Sequence, residues 1–97
     1  MQIDQLDLTQ LARIFGALGS PIRLQILQTV LKSDKPLHIK ALSRSLKVKY
    51  TAIYRHVQVL KGAGLVTIYE VGRSRVVSVK GKETINDLIK IALNIQK

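Results

Sequence analysis

The sequence predicts a mainly α-helical fold with one β-hairpin close to its C-terminal end. Apolar residues recur at helical spacing through residues 8–62, change to a two-residue alternation from Leu65, and return to helical spacing in residues 83–96. The 97 residues have room for one hydrophobic core, so we expect a single domain over residues 1–97. Because so small a core gives only marginal stability, a second copy of the chain is a common source of further buried surface.

The N-terminal third predicts two helices separated by a short break. Apolar residues at helical spacing predict the first helix over residues 8–18, and Gly19 ends it. Ser20 then has the residue type of an N-cap, and Pro21 suits the first position of a second helix that runs to about Lys32. This second helix has few polar positions, so we expect it to be the central buried helix.

The rest of the chain predicts a helix–turn–helix, a hairpin and a last helix. We place them at about residues 37–62, 65–80 and 83–96, with the second helix of the pair at about 51–62. Gly72 lies between two β-branched runs, as expected for the turn of the hairpin. This order of elements predicts a winged helix-turn-helix domain, in which the hairpin is the wing.

The positive charge is concentrated in the middle of the chain. The net charge is +10, and residues 1–34 and 83–97 each carry equal numbers of basic and acidic residues. Residues 35–82 hold eleven lysines and arginines but only one acid, Glu70. A localised excess of this kind favours an anionic polymer, and we predict double-stranded DNA as the partner. The alternative is a basic face that is merely solvated.

The predicted helix at 51–62 has one polar side that suits DNA. This side carries hydrogen-bonding groups and two cations but no acid, a composition that matches base edges in the major groove. The alternative is an ordinary solvated helix face, but such a face usually mixes acids with bases. The predicted contacts of the helix and the preceding turn are Thr51, Tyr54 and Arg55 to bases, Gln58 to bases or phosphates, and Lys49, Tyr50 and Lys61 to phosphates.

Two arginines lie beside the predicted tip of the wing. Arg73 and Arg75 follow Gly72 closely, and a long cation on a β-ribbon can enter the negative minor groove or contact the DNA backbone. The alternative is that these charges protect an exposed strand edge from pairing with another chain.

The other side of helix 51–62 is predicted to pack on the domain. It includes Val59 and, in its middle, His56. We expect His56 to be a neutral, hydrogen-bonded core residue, with a metal ligand or pH sensor as the alternative. The second histidine, His38, is also isolated, and the chain has no cysteine. We therefore predict no metal site and no cofactor.

The last helix has an apolar stripe wider than its own domain requires. The stripe spans about 200°, whereas covering a single core takes about 100° or somewhat more. The surplus predicts a second contact surface, completed by the first helix, and hence a homodimer; the alternative is that both helices only close a monomer core. The predicted interface residues are Leu8, Leu11, Phe15, Leu18, Leu88, Ile91, Ala92 and Ile95.

The composition argues against an enzyme and against a membrane protein. Six acids, two separate histidines and no cysteine give no recognisable catalytic group. Apolar runs are too short to span a membrane, and the segment Met1–Leu8 has no basic residue, unlike a signal peptide, so we expect a cytoplasmic protein. A non-specific architectural DNA-binding protein and a protein-interaction module remain as alternative functions.

Two segments resemble the ArsR-type winged-helix repressors. Residues 17–27, ALGSPIRLQIL, are similar to the family pattern L-x-x-P-x-R-L-x-I-L, and residues 54–66, YRHVQVLKGAGLV, to S-x-H-L-x-x-L-x-x-A-G-L-V. The resemblance covers about residues 10–80 and implies a homodimeric repressor that binds a promoter operator. It places Tyr54 and Arg55 where the family reads DNA, and His56 on the motif histidine. Tyr54 stands where the family usually has serine.

The resemblance does not extend to metal sensing. Many members of that family hold a metal with a cysteine pair in the helix before the turn, and the matching residues 40–43 contain no cysteine. Others use Asp, His and Glu on the last helix, which here carries Asp87 and Glu83 but no histidine. We therefore predict no metal sensor of either kind, and the resemblance leaves any small-molecule effector unknown.

Overall fold

The computed structural model describes residues 2–97, and within them the chain forms five helices and a three-stranded antiparallel sheet. Met1, which belongs to the predicted domain and to the N-terminal segment, lies outside the described residues. In chain order the elements are α1 (Gln5–Leu18), α2 (Pro21–Lys32), β1 (Leu37–His38), α3 (Ile39–Leu46), α4 (Tyr50–Gly62), β2 (Val66–Val71), β3 (Ser74–Val79) and α5 (Lys82–Asn94).

The starts of α1 and α2 are fixed by side-chain caps. Asp4 and Asp7 form a capping box in which the Asp7 N–H donates to Asp4 Oδ1 at 2.8 Å and the Asp4 N–H to Asp7 Oδ2 at 3.4 Å. Because this cap sets the boundary, α1 begins three residues before the predicted Leu8. The predicted start of α2 is confirmed, since Ser20 Oγ accepts from the Arg23 N–H at 3.3 Å and Pro21 is the first helical residue.

The turn between α3 and α4 is closed by local hydrogen bonds. Lys47 adopts a left-handed conformation with φ of 56°, which ends α3. The Val48 N–H donates to the Ser43 carbonyl at 3.1 Å, and Ser43 Oγ donates to the Val48 carbonyl at 2.5 Å. Since the turn is held in this way, α4 starts at Tyr50, one residue earlier than predicted.

The wing is a hairpin joined by a third strand to the helix–turn–helix. Strands β2 and β3 pair from Val66 opposite Val79 to Val71 opposite Ser74, with Gly72 at φ of 62° in the two-residue turn. Strand β1 pairs with the other side of β3, giving the order β1-β3-β2. The sequence analysis placed these residues at the start of the helix–turn–helix and predicted no strand for them. The pairing of β1 attaches the wing to the start of α3.

The core is built from five helices and the sheet, and two residues depart from the predicted burial. Val59 is 42% exposed, although we placed it on the packed side of its helix, and Leu24 is 41% exposed on α2, which is therefore not fully buried. Val59 follows Arg55 by four residues, so it continues the solvent-facing row rather than the packed one. The fully buried large residues are Ile26, Leu27, Val30, Ile39, Leu42, Ile53, Val57, Leu60 and Val77.

Within residues 2–97, no single helix is long and apolar enough to cross a membrane. Helices α1 and α2 reach that length only when taken together, and they meet at a bend of 88°.

Candidate nucleic-acid interface

One row of side chains on α4 faces solvent along the length of the helix. Thr51, Arg55 and Val59 follow one another at four-residue spacing and are all exposed, while Lys61 is exposed and Gln58 half-buried beside them. The row combines a hydroxyl, a guanidinium and an apolar side chain that can contact a thymine methyl group. The sequence missed Val59 as part of this surface, although its spacing from Arg55 was a usable signal.

Three other predicted DNA contacts lie against one another. The rings of Tyr50 and Tyr54 are stacked, with centroids 6.4 Å apart and planes at 12°. The Arg75 guanidinium carbon lies 4.6 Å from the centroid of the Tyr54 ring, and Nη1 donates to Tyr50 Oη at 3.3 Å. These contacts join the wing to α4. The hydrogen bond to Tyr50 raises the pKa of Arg75 above its already high ordinary value, so the guanidinium stays charged.

The predicted wing arginines therefore have different surroundings. Arg73 is exposed at the hairpin turn, whereas Arg75 is partly covered and lies over Tyr54. Tyr54 itself is half-buried and packs against the core, so only part of this side chain faces solvent. Lys49, the N-cap of α4, is exposed and makes no side-chain capping bond.

A small polar cleft lies where the root of the wing meets the helix–turn–helix. The cleft has a volume of about 30 Å³, and we call it the wing-root cleft. Its lining contains three cations and no acid: His38, Lys40, Tyr50, Arg73, Ser74 and Arg75. The sequence analysis assigned no contact role to His38, Lys40 or Ser74, because nothing in the sequence shows that β1 pairs beside β3 and brings residues 38–40 next to residues 73–75.

Arg23 connects α1, α2 and α4 through its guanidinium. Nε donates to the Ala17 carbonyl at 2.7 Å, Nη2 to the Gly16 carbonyl at 3.4 Å, and Nη1 lies 3.2 Å from His56 Nδ1. Because arginine can only donate, His56 Nδ1 is the acceptor and carries no proton. Arg23 lies in the segment 17–27 that resembles the family pattern, but the sequence analysis assigned it no role.

His56 is half-buried and neutral. Burial is the first cause that lowers the pKa of His56 below its ordinary value, followed by the positive charges of Arg23 and Arg55. In the part of the chain that the structure describes, no three His, Asp or Glu side chains lie close enough together to hold a metal ion.

An apolar groove of about 350 Å³ lies between the end of α1 and the outer half of α5. Four of the eight predicted interface residues, Phe15, Leu18, Leu88 and Ala92, line the groove. The other four, Leu8, Leu11, Ile91 and Ile95, lie outside it. Leu24, Leu93, Ile89 and Gly19 complete the lining, and the sequence analysis did not assign these to the interface.

A model of the helix-turn-helix domain family matches residues 18–69, slightly more than half of the chain. The match includes α2, the helix–turn–helix and most of the first strand of the wing. No curated protein sequence matches the chain significantly.

Several solved structures share the fold over nearly the whole chain. A homodimeric winged helix-turn-helix DNA-binding domain from Mycobacterium bovis, part of a possible ArsR-family transcriptional regulator, is 25% identical with a TM-score of 0.80, covering 96% of this chain and 88% of that one. HlyU from Vibrio cholerae is 23% identical with a TM-score of 0.75, covering 91% and 97%. NolR from Sinorhizobium fredii is 18% identical with a TM-score of 0.75, covering 95% and 93%.

Proposed function

Because the chain belongs to the helix-turn-helix domain family and has the winged fold of ArsR-type transcriptional regulators, we propose that it is a sequence-specific, homodimeric DNA-binding repressor. Family and fold are those of DNA-binding regulators, not of enzymes. The observation that carries the proposal is the exposed, acid-free row of Thr51, Arg55 and Val59 along α4.

Helix α4 reads base edges in the major groove. Arg55 makes paired hydrogen bonds to a guanine, and Thr51 and Tyr54 make the neighbouring base contacts near the N-terminal half of the helix. Gln58 contacts a base or a phosphate. Lys49, Tyr50 and Lys61 contact phosphates at the two ends of α4 and fix its register on the duplex. This assignment is supported by the exposure of Arg55, Thr51 and both lysines.

The wing contacts the DNA beside the major groove occupied by α4. Arg73 is exposed at the hairpin turn and is long enough to reach the minor groove or its phosphates. Arg75 contributes positive charge from its place over Tyr54 and helps to hold the wing against α4. Residues 1–97 thus work as one domain in which the helix–turn–helix and the wing act together.

Two copies pair through α1 and α5. The apolar groove beside Phe15 and Leu88 supports this pairing, as do Ile91 on α5 and Ile95 just after its end, which are 63% and 79% exposed. The related domain from Mycobacterium bovis is homodimeric. In the dimer, the two α4 helices read half-sites about 34 Å apart on one face of a pseudo-palindromic operator.

Fluorescence anisotropy with the purified protein tests this function. The protein is bound to a duplex enriched from a random pool and to a scrambled duplex of the same composition, at two salt concentrations. We expect the selected duplex to bind about 10³-fold more tightly or better. If both duplexes bind equally and salt removes both, the protein coats DNA without reading it, and the architectural alternative that the +10 charge also favours replaces the regulator.

A further inference from the structure

The wing-root cleft collects hydrogen-bond donors from three separate parts of the chain. His38 and Lys40 come from the start of α3, Tyr50 from the start of α4, and Ser74 from the first position of β3. Strand pairing explains their proximity, because His38 lies opposite Val76 on β3. The lining is therefore set by the fold and not by one flexible loop.

The chemistry of the lining is that of an anion site. Three of the lining side chains, Lys40, Arg73 and Arg75, are cations that can only donate hydrogen bonds, and no acid lines the cleft. The neighbouring acid in the sheet register, Glu70, is exposed on β2 opposite Arg75 and lies outside the lining. Tyr50 Oη already accepts a hydrogen bond from Arg75, so its own hydrogen is free to donate to a ligand.

Two helix ends strengthen the positive potential at the same place. His38 is the N-cap of α3, and Tyr50 is the first residue of α4; neither helix has a side-chain cap for its first N–H groups. The unsatisfied N–H groups and the positive ends of both helix dipoles favour a negatively charged ligand.

We infer that the wing-root cleft binds one phosphodiester of the DNA backbone, with Lys40, Ser74 and the Tyr50 hydroxyl as donors. This inference rests on the proposed DNA-binding function and adds His38, Lys40 and Ser74 to its contact surface. The volume of about 30 Å³ is enough for a group the size of one water molecule. One phosphate oxygen enters the cleft while the rest of the group stays at its mouth.

A phosphate bound in this position is contacted by both the wing and the helix–turn–helix, so both parts bind the same DNA strand. Tyr50 belongs to the reading helix and Ser74 to the wing, and Arg75 links them through Tyr50 and Tyr54. A single backbone contact therefore sets the position of both DNA-binding parts along the duplex. It adds affinity on every sequence and no base preference of its own.

The test combines one protein variant with one neutralised phosphate at a time. Lys40 is exposed, so Lys40→Gln removes its charge without disturbing the core. We expect Lys40→Gln to weaken selected and scrambled duplexes alike by about tenfold, and to lower the salt slope by about 1. In a methylphosphonate scan, the charge of one DNA phosphate is removed at a time. The wild-type protein should lose affinity when one particular phosphate per half-site is neutralised. The Lys40→Gln variant should lose no further affinity at that same phosphate.

Matched controls separate the cleft from general charge effects. Lys35 lines a different surface with Ser78 and Lys82, at the other end of the sheet, so Lys35→Gln removes the same charge and should keep the wild-type methylphosphonate pattern. Ser74→Ala should reduce the cost of the same single methylphosphonate. The inference is overturned if Lys40→Gln leaves the cost of every methylphosphonate unchanged.

A free anion is the other source of the same chemistry. Saturable shifts of the Tyr50 and Ser74 amide signals with inorganic phosphate, without any coupling to a DNA phosphate, would identify a small anionic ligand and would also overturn the inference. The proposed function fails by a different result, namely equal binding of selected and scrambled duplexes by the wild-type protein.

Discussion

Replacing Arg23 should weaken the link between α1, α2 and α4, the helix that we propose reads DNA. The guanidinium donates to the Ala17 carbonyl at 2.7 Å and to His56 Nδ1 at 3.2 Å, with a longer contact to the Gly16 carbonyl at 3.4 Å. Arg23→Ala removes all three and leaves the Ala17 carbonyl and His56 without this donor.

The expected cost follows from the two shorter bonds. Each is a hydrogen bond to a charged donor, and because Arg23 is only half-buried we take about 1–1.5 kcal/mol for each, or about 2–3 kcal/mol together. A domain of this size is stable by about 5–15 kcal/mol, so the loss is a large fraction of the total. It corresponds to a fall in Tm of roughly 10–20 °C.

Urea unfolding followed by far-UV circular dichroism measures this loss, with all variants at one protein concentration because the proposed dimer makes stability depend on concentration. Arg13→Ala is the matched control, since Arg13 is an exposed arginine on α1. Arg23→Lys keeps the charge but has a single nitrogen, so it should recover less than half of the stability. A loss for Arg23→Ala no larger than for Arg13→Ala would refute the role of this residue.

Three further predictions concern pH, pairing and the wing. The pKa of His56 is lowered in the folded protein from about 6.5, so the unfolded chain takes up the proton first as the pH falls. The contribution of neutral His56 to the free energy of unfolding is therefore fully present above that pH and decreases as the pH falls through it. His56→Asn keeps an acceptor near Arg23 without titrating, so its unfolding free energy should fall less than wild type between about pH 7.5 and pH 5; parallel curves would contradict this. Leu93→Lys changes a residue that is 67% exposed in the apolar groove, and it should shift the mass measured by light scattering from twice 10.8 kDa towards that of a single chain. The control Gln28→Lys, at an exposed site elsewhere, should leave the mass unchanged. A dimer that survives Leu93→Lys would exclude this face as the dimer interface. Arg73→Ala should weaken binding without changing the preferred core sequence, and an altered core in a repeated selection would show that the wing reads bases.

Local patterns predicted the elements well because each depends on neighbouring residues. Ser20 and Pro21 marked the start of α2, Gly72 marked the hairpin turn, and the change of period at Leu65 marked the wing. The start of α1 was wrong by three residues because the Asp4 capping box lies before the first apolar position. Periodicity records apolar spacing, whereas helix ends are set by capping groups.

Contacts between distant segments could not be predicted in the same way. The antiparallel pairing of β1 with β3 places His38 and Lys40 beside Ser74. Nothing in the sequence of either segment alone indicates that pairing. The contact of Arg23 with His56 likewise joins positions 33 residues apart. Val59 was misplaced because an apolar residue was taken as buried, although its four-residue spacing from Arg55 puts it on the exposed row.

The most direct test of the central claim compares Arg55→Ala with the exposed control Lys61→Ala on selected and scrambled duplexes. If α4 reads bases through Arg55, Arg55→Ala should lose about 1–3 kcal/mol on the selected duplex, little on the scrambled one, and preference at one base pair. Lys61→Ala should lose a similar amount on both duplexes. Equal losses for Arg55→Ala on the two duplexes would contradict sequence reading by this helix.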